Sequence, residues 1–321
     1  MLLATGAILA GFITLMWSAD KFVNGAAATA RNFGMSPMLI GLTIVSIGTS
    51  APEILVSLMA AMSGYGSLAV GNAVGSNIAN IGLVLGITAI VAPLPVKSDV
   101  VRREIPLLMI ITVLAGLLLI DNQLGHLDGI LLISGLILTL YLIYRWQRQP
   151  DSNLQTTAGA ETEEELPDIS QAKATVLLIV GLLVMVASSR LLVWGATEVA
   201  RALGISELII GLTIVAIGTS LPELAASVVS ALKKHHDIAL GNIVGSNIFN
   251  LLAVMAVPGI VAPATIDPAA FQRDVPAMIA ITALLLILAL AGRKRQRIGR
   301  GAGVLLAACY LGYTLLLYLQ S

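Results

Sequence analysis

The chain has 321 residues, of which 57% are hydrophobic and only 11% charged, and its formal net charge is zero. Soluble domains carry roughly twice that charged fraction, so the composition excludes an ordinary soluble enzyme and a basic nucleic-acid-binding protein. Repeated apolar stretches of about 20 residues match the hydrocarbon thickness of a bilayer. The sequence therefore predicts an all-α polytopic membrane protein that has the lipid bilayer as its surroundings.

Hydropathy predicts ten transmembrane helices, here numbered spans 1 to 10 in chain order. They fall near 2–28, 37–63, 68–92, 105–121, 128–145, 174–200, 207–232, 238–262, 275–292 and 301–319. The one long connection is polar and acidic and is interpreted as a linker. The predicted organisation is a first five-helix unit at 1–145, a cytoplasmic linker at 146–173 and a second five-helix unit at 174–321.

Basic residues are distributed unevenly between the two sides of the predicted membrane. With the N-terminus placed outside, fourteen Lys and Arg residues fall in cytoplasmic segments, and only Arg201 and Arg273 fall in outer loops. Cytoplasmic loops of membrane proteins carry such an excess. We therefore predict a multi-pass protein of the cell (inner) membrane with both termini outside the cytoplasm.

One stretch of the chain occurs twice. The signature 41–80 contains GLTIVSIGTSAPE and GNAVGSNIAN, and the signature 211–250 contains GLTIVAIGTSLPE and GNIVGSNIFN, at a constant offset of 170 residues. This offset spans five predicted helices, an odd number, so the second copy must cross the membrane in the opposite sense. Two inverted five-helix repeats are an architecture of secondary transporters, whose ion sites lie near the membrane midplane.

Each signature places oxygen-bearing residues in the middle of an apolar span. In span 2, Gly48 and Pro52 are expected to kink or break the helix and to free carbonyl oxygens. The nearby hydroxyl and carboxyl groups belong to Thr49, Ser50 and Glu53, and the second copy supplies Thr219, Ser220 and Glu223. Such oxygens are hard ligands, which suit Ca²⁺, Na⁺ or Mg²⁺ rather than transition metals.

Spans 3 and 8 are expected to face this site. Ser76 and Asn80 lie four residues apart, as do Ser246 and Asn250, so each pair shares one helix face. Glycines with G-x-x-x-G spacing predict close helix packing beside the site. These glycines are Gly71 and Gly75 in span 3, and Gly241 and Gly245 in span 8.

A simpler interpretation of the glutamates is also open. Ser50 and Glu53 have the spacing of a capping box, in which the carboxylate only seals the start of a broken helix. A carboxylate at membrane depth costs about 2.5–3.5 kcal/mol, which favours ion binding. The sequence contains no HExxH, GxSxG or Walker A pattern, so we predict neither an enzyme nor a cofactor.

The paired GTSxPE and GNxxGSNIxN motifs resemble the alpha repeats of the cation/calcium exchanger superfamily, in particular its bacterial calcium/sodium antiporters. The resemblance covers nearly the whole chain. It implies a core of spans 2, 3, 7 and 8, against which the long spans 1 and 6 slide. It also implies exchange of Na⁺ for Ca²⁺, with these two ions as substrates. We expect this exchange to be electrogenic, to proceed by alternating access and to need no obligate protein partner.

The resemblance further implies roles for individual residues. Glu53 and Glu223 would coordinate Ca²⁺ from the two halves, and further oxygens would come from Thr49 and Thr219. The remaining implied ligands are Ser50, Ser220, Ser76 and Ser246 at sodium sites, the central Asn80 and Asn250, and the backbone oxygens of Ser46 and Ala216. Some relatives have Asp at the position of Asn250, so this chain would hold two carboxylates, which balance one Ca²⁺ or two Na⁺.

The residues by themselves leave three other functions open. A cation/proton antiporter would follow a proton gradient and ignore sodium. A passive cation channel would conduct Ca²⁺ without a counter-ion. A membrane scaffold that transports nothing would depend on neither glutamate.

Overall fold

The computed structural model describes residues 1–148, 166–204, 214, 216–266, 268–292 and 297–320, which are almost entirely helical. The α-helices in these ranges are α1 Leu2–Phe33, α2 Pro37–Ile40, α3 Ser46–Thr49, α4 Ala51–Met62, α5 Gly66–Ala79, α6 Gly86–Val91, α7 Ser98–Arg102, α8 Glu104–Leu118, α9 His126–Arg148, α10 Gln171–Ala202, α11 Ala216–Thr219, α12 Leu221–Leu232, α13 His236–Phe249, α14 Ala256–Val261, α15 Pro268–Gly292 and α16 Arg300–Gln320. π-Helical turns occur at π1 Gly41–Val45, π2 Asn80–Leu85 and π3 Asn250–Val254. Short strands are β1 Leu94–Pro95, β2 Gln123–Leu124, β3 Ala264–Thr265 and β4 Arg297–Ile298.

Fewer helices qualify as membrane spans than the ten predicted. Within the described ranges, seven helices are long and apolar enough to cross a bilayer, or eight when one bent pair counts as a single span. Predicted span 4 corresponds to α8, which has only 15 residues. Residues 207–213 and 215 of predicted span 7 and most of the predicted linker fall outside the described residues. The structure therefore shows an all-helical, multi-pass membrane protein.

The predicted break in span 2 is confirmed. The continuous segment from Pro37 to Thr49 and the following helix α4 meet at an angle of 43°. Pro52 lies in the first turn of α4, where its missing N–H costs no intrahelical hydrogen bond. Pro222 occupies the same place in α12. Each break ends one helix and begins another beside a glutamate.

The two longest helices, α1 and α10, pack against each other in antiparallel orientation. A β-carbon at Gly11 would lie 3.0 Å from the backbone nitrogen of Leu192, and one at Gly181 would lie 2.6 Å from that of Phe22. Each residue of the first contact lies 170 positions from a residue of the second. The same packing thus occurs twice with the two helices exchanged, and it requires glycine because a side chain would collide with the opposite backbone.

Connections between helices pair at both ends of the bundle. β1 pairs with β4 and β2 pairs with β3, in both cases antiparallel. Lys97 and Asp237 form an ion pair of 3.1 Å, and the Nε of Arg300 donates to the carbonyl of Ile90 at 3.0 Å. These contacts gather the β1, β4 and α12–α13 connections at one end. Helix α8 leads from that end to the β2–β3 pair at the other.

Gly241 makes a close helix contact that its counterpart in the other signature does not. A β-carbon at Gly241 would lie 2.8 Å from the carbonyl oxygen of Met38, whereas none of the described residues lies within 4 Å of a β-carbon at Gly71. We expect Gly241→Ala to lower the free energy of unfolding by about 1–3 kcal/mol through overpacking. Thermal unfolding in detergent checks this, with Gly71→Ala as the matched control. Equal loss of stability in the two variants would contradict the expectation.

Candidate ion-binding site

Glu53 and Glu223 lie in the first turns of α4 and α12, directly after the two helix breaks. Their side chains are 1% and 0% exposed, and the Oε2 atom of each has no hydrogen-bond partner among the described residues. The positive end of each helix dipole favours a carboxylate there but does not replace a partner. Two buried carboxylates whose Oε2 atoms lack partners form a site that a cation would stabilise.

A hydrogen bond brings the two signatures together. The hydroxyl of Ser50, which directly precedes α4, donates to Oε1 of Glu223 at 3.4 Å. The same side chain makes no capping hydrogen bond to the start of α4. The capping-box interpretation of Ser50 is therefore wrong, because its hydroxyl points across to the glutamate of the other signature. Residues 173 positions apart in sequence share one buried region.

Thr49 links the broken helix to α13. Its Oγ1 donates to Oδ1 of Asn242 at 3.0 Å and lies 3.2 Å from Oγ of Ser246. All three side chains are fully buried. The structure therefore places the predicted residues Thr49 and Ser246 side by side, at the same break as Glu53.

The corresponding residues of the second signature have a different environment. Thr219 is only half-buried and lines a cavity of about 380 Å³ together with Pro52 and Pro222. Ser220 is buried, and its hydroxyl has no hydrogen-bond partner among the residues that the structure describes. The cavity therefore reaches the break between α11 and α12, although neither glutamate lines it.

Asn80 and Asn250 occupy equivalent positions at the starts of π2 and π3. Their side chains are 1% and 0% exposed, and neither Nδ2 nor Oδ1 of either residue has a partner within the described ranges. Buried amides are normally satisfied, so these four atoms are available to hydrogen-bond or coordinate a ligand. Ser76, one turn before Asn80, is also buried. π-Helical turns often occur at functional sites, and hydropathy did not predict them.

Two predicted backbone ligands are less clearly placed. The carbonyl oxygen of Ser46 already accepts a hydrogen bond from the backbone N–H of Ser50 at 2.9 Å, and Oγ1 of Thr49 lies 3.4 Å from it. It therefore lies at the break but is not an unsatisfied oxygen. Ala216 begins α11, and the role of its backbone oxygen stays a prediction.

Asn72 and Asn242 are contacts of the site that the sequence analysis did not single out. The amide nitrogen of Asn242 donates to the carbonyl of Glu223 at 3.3 Å and to Oγ of Ser227 at 2.9 Å. Asn72 donates in the same way, to Glu53 and Ser57, at 3.3 Å in both cases. Each asparagine thereby fixes the backbone of one glutamate. The offset of 170 relates both sets, and that repetition is the signal that could have identified them.

Asn242 is expected to contribute more to stability than Asn72. Asn242→Ala would leave the carbonyl of Glu223 and the hydroxyls of Ser227 and Thr49 without this partner in a fully buried place. Each unsatisfied buried group costs about 1–3 kcal/mol. Asn72 is half-buried, so water can replace part of what Asn72→Ala removes. Thermal unfolding in detergent without added Na⁺ or Ca²⁺ should show the larger loss for Asn242→Ala, and the reverse order would refute this ranking.

The donor set is composed of oxygens. The described residues hold no group of three or more His, Cys, Asp and Glu side chains arranged for a metal ion. Two carboxylates are instead surrounded by neutral hydroxyl and amide groups. Such a set suits Ca²⁺ and Na⁺, which take carboxylate, carbonyl and hydroxyl oxygens, better than transition metals.

Comparison with known proteins identifies the family. A sequence model described as "Sodium/calcium exchanger protein" matches residues 3–145 and 173–319, which is most of the chain. The chain belongs to the sodium/calcium exchanger family. Both signatures lie inside the matched ranges, and the unmatched segment between them is the predicted linker.

Several members of the family are similar to this chain over nearly the full length of both proteins. A protein of Alkalimonas amylolytica named CaxA is 50% identical over 320 residues, which are 99% of each chain. The sodium/calcium exchanger MaX1 of Methanosarcina acetivorans is 30% identical over 344 aligned residues, 97% of each chain. The solved sodium-calcium exchanger NCX_Mj, soaked with Na⁺ and Sr²⁺, has a TM-score of 0.80 at 34% identity and 97% coverage of both chains. The resemblance found in the motifs is thus confirmed at the level of the family and the fold.

Proposed function

We propose that the chain is a secondary active antiporter that exchanges Na⁺ for Ca²⁺ by alternating access. The observation that carries this proposal is the contact between Ser50 and Glu223, because it gathers unsatisfied oxygens from both signatures in one buried region. Family membership and the likeness to NCX_Mj support Na⁺ and Ca²⁺ as the substrates. The proposed ion ligands are Glu53, Glu223, Thr49, Thr219, Ser50, Ser220, Ser76, Ser246, Asn80, Asn250 and the backbone oxygens of Ser46 and Ala216.

The proposed architecture is two inverted repeats of five transmembrane spans each, with spans 2, 3, 7 and 8 as the core. Two observations support it: the contacts of α1 with α10 recur at an offset of 170, and so do the asparagine contacts to the two glutamates. The proposed units are 1–145 and 174–321, joined by the linker. The clustering of Lys97, Arg300 and the α12–α13 connection at one end of the bundle supports an inner-membrane orientation with both termini outside.

Exchange follows from competition for shared oxygens. An empty site with two carboxylates is costly to enclose at membrane depth, whereas a site neutralised by one Ca²⁺ or by Na⁺ ions is not. Only the loaded core would then allow α1 and α10 to move past it. The two ions are therefore transported in alternate steps, in opposite directions.

The driving force favours an electrogenic ratio. A tenfold Na⁺ gradient supplies about 1.4 kcal/mol per ion, so two Na⁺ support a Ca²⁺ ratio of only about 10²-fold. A third Na⁺ adds the same increment and about 2.3 kcal/mol for one net charge at 100 mV, which raises the ratio to roughly 10⁴–10⁵. We therefore propose three Na⁺ per Ca²⁺.

Ca²⁺ flux into proteoliposomes tests the proposal when gradients of Na⁺, K⁺ and H⁺ are imposed separately. We expect Ca²⁺ uptake only when the Na⁺ gradient is directed out of the vesicle. We also expect the rate of uptake to depend on the membrane potential. Uptake that follows a proton gradient and ignores Na⁺ would establish a cation/proton antiporter instead. Uptake without any counter-ion would establish a passive channel, and no uptake under any gradient would favour a scaffold.

A further inference from the structure

One end of the bundle is closed by contact between α1 and α12. Ala225, Ala226 and Val229 of α12 are 3%, 0% and 6% exposed, and they pack in one hydrophobic cluster with Phe22 and its neighbours on α1. We call this the closed end. Because α1 is one of the two helices that the proposed mechanism moves, this contact must open during transport.

The equivalent contact at the opposite end is open. The residues of α4 related to Ala225 and Val229 by the offset of 170 are Leu55 and Met59, which are 51% and 68% exposed. Val56, the counterpart of Ala226, lines the cavity of about 380 Å³ between α4 and α10. We call this the cavity end. The two ends thus carry equivalent helices in two different arrangements.

Charged groups cross the helix contact at the closed end. Nζ of Lys233, which directly follows α12, lies 2.5 Å from Oδ1 of Asp20 on α1 and donates to Oδ1 of Asn24 at 2.8 Å. The side chains of Lys233 and Asp20 are 28% and 34% exposed, so water screens the pair only in part. Lys21 also lies 3.2 Å from Asp20, but it is the next residue of the same helix and joins nothing.

The positions at the cavity end that correspond to this ion pair by the offset of 170 carry no opposite charges. The offset counterparts of Asp20, Asn24 and Lys233 are Arg190, Trp194 and Ser63. Arg190 and Trp194 line the cavity on α10, and Ser63 follows α4 as Lys233 follows α12. A serine offers Arg190 no opposite charge, so these three positions form no counterpart of the Asp20–Lys233 ion pair when the cavity end closes.

We infer that Asp20, Asn24 and Lys233 form a latch that holds the closed end shut and biases the transporter toward the state with an open cavity end. This inference rests on the alternating-access part of the proposed function. The predicted orientation places the cavity end outside, since it contains the C-terminal part of α10. The latch then favours a resting transporter that presents its site to the exterior, where Na⁺ binds.

A pair of equivalent cysteine probes can read the two ends. Val56→Cys reports the cavity end and Ala226→Cys reports the closed end, each in a Cys309→Ser background, because Cys309 is the single cysteine and is exposed. The rate of maleimide labelling in lipid vesicles, without Na⁺ or Ca²⁺, measures how often each position is open. The parent should label rapidly at position 56 and slowly at position 226.

Lys233→Gln should raise labelling at position 226 roughly fivefold and lower it at position 56, since a partly exposed ion pair shifts a two-state equilibrium by about that factor. Lys21→Gln is the matched control: it removes a positive charge beside Asp20 but no link between helices, so it should leave both rates unchanged. The exchanged pair Asp20→Lys with Lys233→Asp should restore the parental rates.

Introducing an equivalent ion pair at the cavity end provides an independent test. Arg190→Asp with Ser63→Lys should lower labelling at position 56 and raise it at position 226, because the ion pair would now favour closure of the cavity end. Equal effects of Lys233→Gln and Lys21→Gln, or an introduced ion pair without effect, would overturn the latch. These rates do not depend on ion flux, so a failure of Na⁺/Ca²⁺ exchange and a failure of the latch are distinguishable.

Discussion

Glu53→Gln and Glu223→Gln should each abolish Na⁺-driven Ca²⁺ uptake. Glutamine keeps the size of the side chain and removes one charge, so the site would hold a single carboxylate against a divalent ion. Both residues are at most 1% exposed, with an Oε2 that no described residue satisfies. Removing one partner of a buried charge interaction costs about 3–5 kcal/mol, which corresponds to roughly 10²–10⁴-fold weaker Ca²⁺ binding.

Uptake of ⁴⁵Ca²⁺ into Na⁺-loaded vesicles measures this effect. Asp121→Asn is a suitable control, because Asp121 is exposed in the connection after α8 and accepts a hydrogen bond from the backbone N–H of Gln123 at 3.0 Å. It should retain parental flux. Substantial flux in either Glu53→Gln or Glu223→Gln would refute the proposed site, and loss in only one would refute the equal contribution of the two signatures.

Asn250→Asp should change the number of ions that the site requires. Asn250 is fully buried, and none of its described neighbours satisfies its amide. A third carboxylate would leave a Ca²⁺-loaded site with a net negative charge, which costs about 2.5–3.5 kcal/mol to enclose at membrane depth. We expect exchange to slow roughly 10²-fold, and to recover in part when K⁺ or protons can bind with Ca²⁺.

This expectation is measured as Ca²⁺ flux at a fixed Na⁺ gradient while K⁺ and pH are varied. Asn80→Asp is the offset-related variant and should behave alike, since both asparagines begin equivalent π-helical turns. Asn32→Asp adds a carboxylate on the exposed surface near the end of α1 and serves as the control. An Asn250→Asp protein with parental rates and no new ion dependence would contradict the central position of this residue.

Much of the candidate site could be predicted because its pattern is local and repeated. Gly48 and Pro52, which lie on either side of Ser50, predict a helix break from backbone chemistry alone, and the break at Ser50 is present. A carboxylate inside an apolar span marks a functional residue because of its cost. The family resemblance followed from the same residues, and full-length relatives confirm it.

Other features depended on contacts between distant segments. The hydroxyl of Ser50 fitted two interpretations, a local cap and a ligand group, and only the position of Glu223 distinguished them. Asn72 and Asn242 were overlooked because an asparagine that supports a backbone carbonyl has no sequence pattern of its own. Among the described residues, fewer helices qualify as membrane spans than the ten predicted, and one reason is that α8 has only 15 residues.

The sequence by itself determined the membrane class, the doubled signature, the helix break and the acidic residues of the site, because each depends on composition or on neighbours within one turn. Only the tertiary structure decided which signature residues touch and which end of the bundle is closed. Segments that share a signature pack differently in this structure, and one such difference is the contact of Asp20 with Lys233, across 213 positions. Such contacts arise from the arrangement of whole helices, which no local pattern specifies.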